Sequence, residues 1–166
     1  MNNSKLVSRK SKLVTGFTLI ELLVVVTIIS VLAGLVTVNF VGARERARDA
    51  GRKSNLRQLK SALQLYYSDY SVYPDQASSN TDIAGCGASG TTACGGPQAE
   101  FSAGSGPTVY IGALPDEFAY YPDVVNDDFM IKVVLENESD EDIAASQARC
   151  SHASCAGATD YCLCAD

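Results

Sequence analysis

A single acidic residue, Glu21, lies at the start of the most apolar stretch of this 166-residue chain. No other charged side chain occurs from residue 22 to residue 41. A helix of that length would extend about 30 Å, the hydrocarbon thickness of a bilayer. A carboxylate in such a segment costs about 2.5 to 3.5 kcal/mol at the helix centre, so some compensating partner is expected. Glu21 is therefore the residue of this stretch whose chemistry requires an explanation.

The residues before this stretch form a basic leader that ends in a glycine. The leader carries four cations: Lys5, Arg9, Lys10 and Lys12. Gly16 and the aromatic Phe17 follow. A secretory signal peptide is cleaved after its apolar region, whereas here the glycine precedes that region, which is also too long for such a signal. An ordinary secretory signal is therefore disfavoured.

The run GFTLIELLVVV, behind its basic leader, resembles the class III signal of type IV pilins and type II secretion pseudopilins. The resemblance implies that a prepilin peptidase cuts after Gly16 on the cytoplasmic side and that Phe17 becomes an N-methylated amino terminus. It also implies that Glu21 meets the N-terminal amine of a neighbouring subunit and sets the stagger of a filament. The alternative is that Glu21 only extends to the lipid headgroups.

Composition and resemblance together predict the domain organisation. The predicted segments are a leader at 1–16, a hydrophobic transmembrane and filament-core helix at 17–43, an amphipathic stem helix at 44–73 and a globular head at 74–166. The head comprises a glycine-rich loop at 75–108, a sheet at 109–135 and a cysteine-rich tail at 137–166. A head of this size allows one small hydrophobic core.

Charge is distributed unevenly along the chain, whose net charge is −6. Seven of the 13 basic residues lie between Arg44 and Lys60, whereas nearly all acids lie from Asp69 onward. The head has no basic surface, so direct nucleic-acid binding is not expected. Six cysteines suit an oxidising compartment, which places the head of a single-pass membrane protein outside the cytoplasm.

The basic segment and the helix that follows it have different predicted roles. Arg44, Arg48 and Arg52 recur every four residues on one helix face, where they are either solvated or contact acidic heads of neighbouring subunits. Asp49 is placed to pair with Lys53. Beyond them, an apolar stripe predicts an amphipathic helix packed on a sheet and ending near Ser71, because Pro74 disfavours helix at the preceding residue. The stripe consists of Leu56, Leu59, Ala62, Leu63, Tyr66 and Tyr70.

The head is predicted to add a small sheet to this helix. Residues 75–108, rich in glycine, serine and threonine, predict a long surface loop pinned by a bridge between Cys86 and Cys94. Three strands are predicted at 109–113, 118–121 and 129–135. Packed on the helix as one antiparallel sheet, they give the α+β pilin fold that the resemblance implies.

The tail contains an acidic run and most of the cysteines. The run NESDED, at 137–142, predicts a solvated acidic turn; many major pseudopilins bind calcium in the head, but this run lacks EF-hand spacing. Four cysteines follow: Cys150, Cys155, Cys162 and Cys164. Their spacing is not a common zinc pattern, so disulfides are favoured. Six cysteines allow 15 connectivities, among which the sequence alone does not choose; local pairs, Cys150 with Cys164 and Cys155 with Cys162, are preferred. A disulfide-bounded tail also resembles the exposed C-terminal region of type IV pilins.

These features predict a structural protein and not an enzyme, because no nucleophile, base and acid form a catalytic set and the single His152 lies among cysteines. The favoured function is a type IV pilus subunit for adhesion, motility or DNA uptake. The alternatives are a pseudopilin of a type II secretion or competence system and a non-polymerising anchored ectodomain. The implied partners are copies of itself, prepilin peptidase, an inner-membrane assembly platform and, before assembly, membrane lipid.

Overall fold

The computed structural model describes residues 16–105, 108–123 and 127–165. The predicted cations of the leader lie outside these residues. The elements, in chain order, are α1 (Leu19–Tyr70), β1 (Asp75–Gln76), β2 (Ile83–Ala84), β3 (Phe101–Ala103), β4 (Thr108–Ile111), β5 (Ala119–Pro122), β6 (Phe129–Val134), α2 (Glu141–Arg149) and β7 (Asp160–Cys164). The chain divides into two units, one ending at Phe40 and the other beginning at Val41. The predicted α+β fold class is confirmed.

The N-terminal unit consists of the first part of α1, whose apolar side chains are exposed. Leu19 is 82% exposed and Ile20 is 70% exposed, and the side chains from Leu22 to Leu32 are exposed as well. Among the described residues, no helical stretch reaches the length and mean hydropathy of a membrane span.

The second unit is built on the apolar stripe of α1. Leu56, Leu59 and Leu63 are fully buried, and Ala62 and Tyr66 are nearly so. They share one hydrophobic core with the strands of the head, as the stripe predicted. The helix ends at Tyr70, and Ser71 then takes a left-handed backbone conformation with φ of 58°. Its amide donates to Tyr67 O at 2.7 Å, which closes the last turn.

The central sheet differs from the predicted one. It has three antiparallel strands in the order β5-β6-β7, and Tyr120, Ile131 and Leu163 lie side by side across it. The predicted strand at 109–113 belongs instead to a separate two-stranded sheet, β3-β4. The third strand of the central sheet is β7. It was not predicted, because its cysteines were interpreted only as disulfide partners.

The prediction of a surface loop at 75–108 is wrong for much of that segment. It contains β1, β2 and β3, and it buries Ile83 and Phe101 completely. A side chain at Gly85 would lie 2.8 Å from the Phe101 ring, so a glycine lets the backbone approach the core there. The strands are two or three residues long, too short to show periodicity.

The tail is ordered by a helix that the sequence reasoning did not predict. Asp140 caps α2, since its carboxylate accepts a hydrogen bond from Asp142 N at 3.0 Å. Ile143 and Ser146 form the buried face of α2, and Ser146 Oγ accepts from Cys162 N of β7 at 3.2 Å. An aspartate followed by acids and then an apolar residue is an N-terminal helix signal that could have identified α2.

Candidate functional site

The first turn of α1 is closed by a reciprocal cap between Thr18 and Glu21. The Glu21 carboxylate accepts hydrogen bonds from Thr18 N and from Thr18 Oγ1, each at 2.8 Å. Glu21 N donates to Thr18 Oγ1 at 3.3 Å. This is a capping box, in which the N-cap residue and the third helical residue satisfy each other's backbone donors. The signal, a threonine three residues before a glutamate, is present in the sequence, but the predictions for Glu21 were a contact between subunits or with lipid headgroups and did not include a cap.

The predicted processing residues immediately precede this cap. Gly16 and Phe17 lie outside the helix and are exposed, Phe17 by 81%. The peptide bond between them is therefore accessible and not locked in helical hydrogen bonds. Glu21 lies one helical turn after it, at the start of an exposed apolar surface. We call the side chains of residues 17–34 the apolar segment.

In the second unit, α1 is tied to the end of β6 by ion pairs. Arg48 Nε lies 2.9 Å from both carboxylate oxygens of Glu136, and Arg48 Nη2 also contacts Glu136 Oε2. Arg52 Nη1 lies 2.7 Å from Glu136 Oε1, and Arg52 Nε lies 3.2 Å from Glu117 Oε2. Hydrogen bonds from Arg48 and then Arg52 lower the pKa of Glu136 to about 2.

A buried aspartate completes this connection. Asp49 is only 1% exposed, and its carboxylate accepts from Glu136 N at 2.9 Å, Asn137 N at 2.9 Å and Arg52 Nη1 at 3.0 Å. Buried carboxylates are tolerated when such donors surround them. We call Arg48, Asp49, Arg52 and Glu136 the stem latch.

The latch extends one prediction for the basic segment and corrects another. Arg48 and Arg52 pair with Glu136 of the same chain, while the Arg48 side chain stays 52% exposed, as a solvated face predicts; contact with neighbouring subunits stays a prediction. Asp49 pairs with Arg52 and not with Lys53. The reason is burial: the Asp49 carboxylate lies against the backbone amides after β6, where Arg52 can reach it and also pair with Glu136.

Lys53 connects α1 to the acidic run. Its ammonium lies 2.8 Å from Asp140 Oδ2 and 2.8 Å from Asp142 Oδ2, and 5.8 Å from the centre of the Tyr161 ring. These contacts lower the pKa of Asp142, chiefly through the hydrogen bond from Lys53. The acidic run is exposed at four of its six residues and turns at Glu138 and Ser139, as predicted, but Asp140 and Asp142 also bind a lysine and Asp140 caps α2. Among the described residues, no group of three or more His, Cys, Asp or Glu side chains is placed to hold a metal ion.

All six cysteines form disulfides in the pairs favoured from the sequence: Cys86–Cys94, Cys150–Cys164 and Cys155–Cys162. The four tail cysteines surround the buried Met130 in a second small core. His152 lies beside Tyr121, with ring centres 5.7 Å apart, and its Nδ1 accepts a hydrogen bond from Ser154 N. The tail is therefore cross-linked by two disulfides, Cys150–Cys164 and Cys155–Cys162.

Comparison with known proteins relates the N-terminal segment to proteins of described function. Residues 12–37 match the family model of the prokaryotic N-terminal methylation motif, which includes Gly16, Phe17, Thr18 and Glu21. Over these residues the chain is similar to proteins that carry the N-terminal methylation motif. The capping box and the apolar segment thus lie within the matched motif.

Named relatives extend the similarity beyond the motif. The chain is 41% identical over 66 residues to type II secretion system core protein G of Vibrio cholerae, covering 40% of this chain and 45% of that protein. It is 39% identical over 71 residues to type IV major pilin protein PilA of Myxococcus xanthus, covering 43% of this chain and 32% of that protein. Type II secretion system core protein G of Klebsiella pneumoniae is 46% identical over 59 residues, which cover 36% of this chain and 42% of that protein.

The extent of these matches limits what they describe. The aligned part of the chain spans less than half the length of each of these relatives. No solved structure matches the chain significantly. The relatives are named for a type II secretion system and for a type IV pilin, and the likeness lies in less than half of this chain.

Proposed function

We propose that this chain is a structural subunit that polymerises through its N-terminal helix into a type IV pilus, for adhesion, motility or DNA uptake. The observation that carries the proposal is the apolar segment, a continuous run of exposed aliphatic side chains that starts at one capped acid. An exposed apolar surface of this extent marks a membrane or protein contact. Burial in lipid and then in a bundle of identical helices would remove it from water.

The proposed maturation uses the residues before the cap. A prepilin peptidase cuts after Gly16, and Phe17 becomes the N-methylated terminus of the mature subunit. Glu21 then accepts the terminal amine of a neighbouring subunit, which favours one axial stagger because an unpaired charge in the apolar bundle is costly. The accessibility of the bond between Gly16 and Phe17 and the methylation-motif match support this sequence of events.

The proposed location is a single-pass membrane protein with its head outside the cytoplasm, later drawn into a filament by an inner-membrane assembly platform. Three disulfides in a head of this size support an oxidising compartment. The role is structural and not enzymatic, in keeping with the names of the relatives.

A second function is favoured by the comparisons themselves. Several relatives are named type II secretion system core protein G, so a pseudopilin that forms a short filament in secretion is the alternative. The tail disulfides favour the pilus, because cross-links protect a small head that works outside the cell.

Two measurements on the native host test the proposal. Mass spectrometry of the membrane-extracted chain should find Phe17 as its N-terminal residue, with one added methyl group. Electron microscopy of sheared cell-surface material, labelled with an antibody to the head, should show long filaments. Labelled short filaments retained by the cell envelope would favour the pseudopilin. An unprocessed chain without filaments would contradict both.

A further inference from the structure

The turn between β6 and α2 contains a modification motif that has no part in the function proposed above. Residues Asn137, Glu138 and Ser139 match the pattern N-x-S/T, the acceptor for N-linked glycans. We propose that Asn137 carries an N-linked glycan in the native host. The proposal rests on the proposed function in one respect: the head must face the side of the membrane where lipid-linked glycans are transferred.

The local geometry presents the motif to solvent. Glu138 and Ser139 are exposed, and Asn137 is partly exposed. Asn137 Oδ1 accepts a hydrogen bond from Ser139 N at 3.2 Å, so the acceptor side chain and the third residue of the motif are held together. Within the described residues, the contacts made by this side chain engage its oxygen and leave the amide nitrogen, the atom that would be modified, without a hydrogen-bond partner.

The stem latch fixes the backbone of the same turn from the opposite side. Asn137 N donates to Asp49 Oδ2 at 2.9 Å, and Glu136 N donates to Asp49 Oδ1 at 2.9 Å. The latch therefore uses the main chain of Asn137 and not its amide side chain. A sugar on that side chain would leave the latch intact, which is the arrangement expected of a surface glycan.

The chemistry requires a donor of defined class. An oligosaccharide linked to a lipid diphosphate would supply the sugar through a membrane oligosaccharyltransferase. A bond forms between the sugar C1 and Asn137 Nδ2, the bond between C1 and the diphosphate oxygen breaks, and a base of the enzyme takes the amide proton. A second match to the pattern, Asn2 to Ser4, lies in the leader outside the described residues and is lost if the leader is cleaved.

The test uses full-length protein purified from the native host. Trypsin releases residues 133–149, a peptide that contains Asn137 and no cysteine. We expect this peptide to carry added hexose or N-acetylhexosamine masses, which fragmentation assigns to Asn137. Ser139→Thr should retain the modification, whereas Asn137→Gln and Ser139→Ala should reduce it at least tenfold. Asn80→Gln, which changes an asparagine outside the motif, is the matched control.

Two results would contradict the proposed glycan. An unmodified peptide, or sugar assigned to Ser139 or Ser146, would overturn the proposal. If filaments still form in that case, only the glycan is contradicted and the pilus function stands. An intact leader would instead contradict the proposed function. Ser139→Ala keeps the Asn137 side chain, so its result does not depend on whether Asn137→Gln folds.

Discussion

Thr18 donates two hydrogen bonds, from its amide and from its hydroxyl, to the same carboxylate oxygen of Glu21, each at 2.8 Å. The acid assigned by resemblance to contacts between subunits is therefore also part of the local structure of its own helix. In a single chain it satisfies donors at the helix start; in the proposed filament it meets a second positive group. Both uses favour a negative charge at the amino end of α1, where the helix dipole is positive.

Removal of the Thr18 hydroxyl should weaken the first turn of α1. We expect Thr18→Ala to lower local helix stability by about 1 kcal/mol, the usual effect of losing an N-cap. Hydrogen exchange of the amides of residues 19–22 in the detergent-solubilised chain measures this. Thr18→Ser should exchange at the wild-type rate. Thr27→Ala is the control, since its hydroxyl donates to Val24 O and caps nothing. Unchanged exchange in Thr18→Ala would show that the cap is dispensable.

The stem latch should make the head sensitive to acid. The pKa of Glu136 falls from its ordinary value of 4.5 to about 2 in the folded head. A carboxylate with a depressed pKa stabilises the fold above its unfolded pKa, and this contribution is lost as pH falls through the window from about 4.5 to 2. When the melting temperature is measured from pH 7 to pH 2, it should decrease as pH is lowered through that window. In Glu136→Gln this decrease should be smaller. Glu138→Gln, a neighbouring exposed acid, should behave like wild type; an identical pH profile for Glu136→Gln would refute the assignment.

Asp49 should be the costliest single residue of the latch to remove. Asp49→Ala leaves the amides of Glu136 and Asn137 without their acceptor, and we expect a loss of about 3 to 5 kcal/mol, the range for breaking a buried charged pair. Asp49→Asn keeps one acceptor and should cost less. Thermal unfolding followed by near-ultraviolet circular dichroism measures both. Glu138→Ala should change stability by less than about 0.5 kcal/mol. Equal stability of Asp49→Ala and Glu138→Ala would show that Asp49 does not stabilise the head.

The outer tail bridge should hold α2 and β7 on the head. Replacing Cys150 and Cys164 together by serine should cost about 2 to 4 kcal/mol and expose Met130. Amide exchange in residues 141–149 and 160–164 should accelerate, while the core amides of residues 56–66 should remain protected. The matched control replaces Cys86 and Cys94, which close a shorter loop and should not affect the tail amides. Wild-type exchange at the tail in the first variant would contradict this role.

Long-range periodic features were predictable from the sequence, whereas features set by a few tertiary contacts were not. The stripe from Leu56 to Tyr66 repeats over several turns, so its burial followed from spacing alone. Ile83 and Phe101 are single buried residues among small polar ones, and no periodicity marks them. The strand β7 was missed because its two cysteines were interpreted only as bridge partners.

The same distinction applies to the candidate site. The roles of Gly16, Phe17 and Glu21 follow from a family resemblance and stay predictions, whereas the preferred local cysteine pairs are those that the structure contains. The latch was not predictable, because Asp49 and Glu136 are far apart in the chain and are brought together only when β6 packs beside α1. Charge patterning along the helix predicted the local pair of Asp49 with Lys53, whereas the folded chain pairs Asp49 with Arg52 and joins both to residues after β6.

The most direct test of the central claim is the filament yield of Glu21→Ala in the native host. Sheared surface filaments are quantified by immunoblot and electron microscopy, beside Ser30→Ala, which removes a different polar side chain from the same apolar segment. We predict that Glu21→Ala is cleaved after Gly16 and inserted normally but yields at least tenfold fewer filaments, while Ser30→Ala assembles like wild type. Wild-type filament yield from Glu21→Ala would contradict the account.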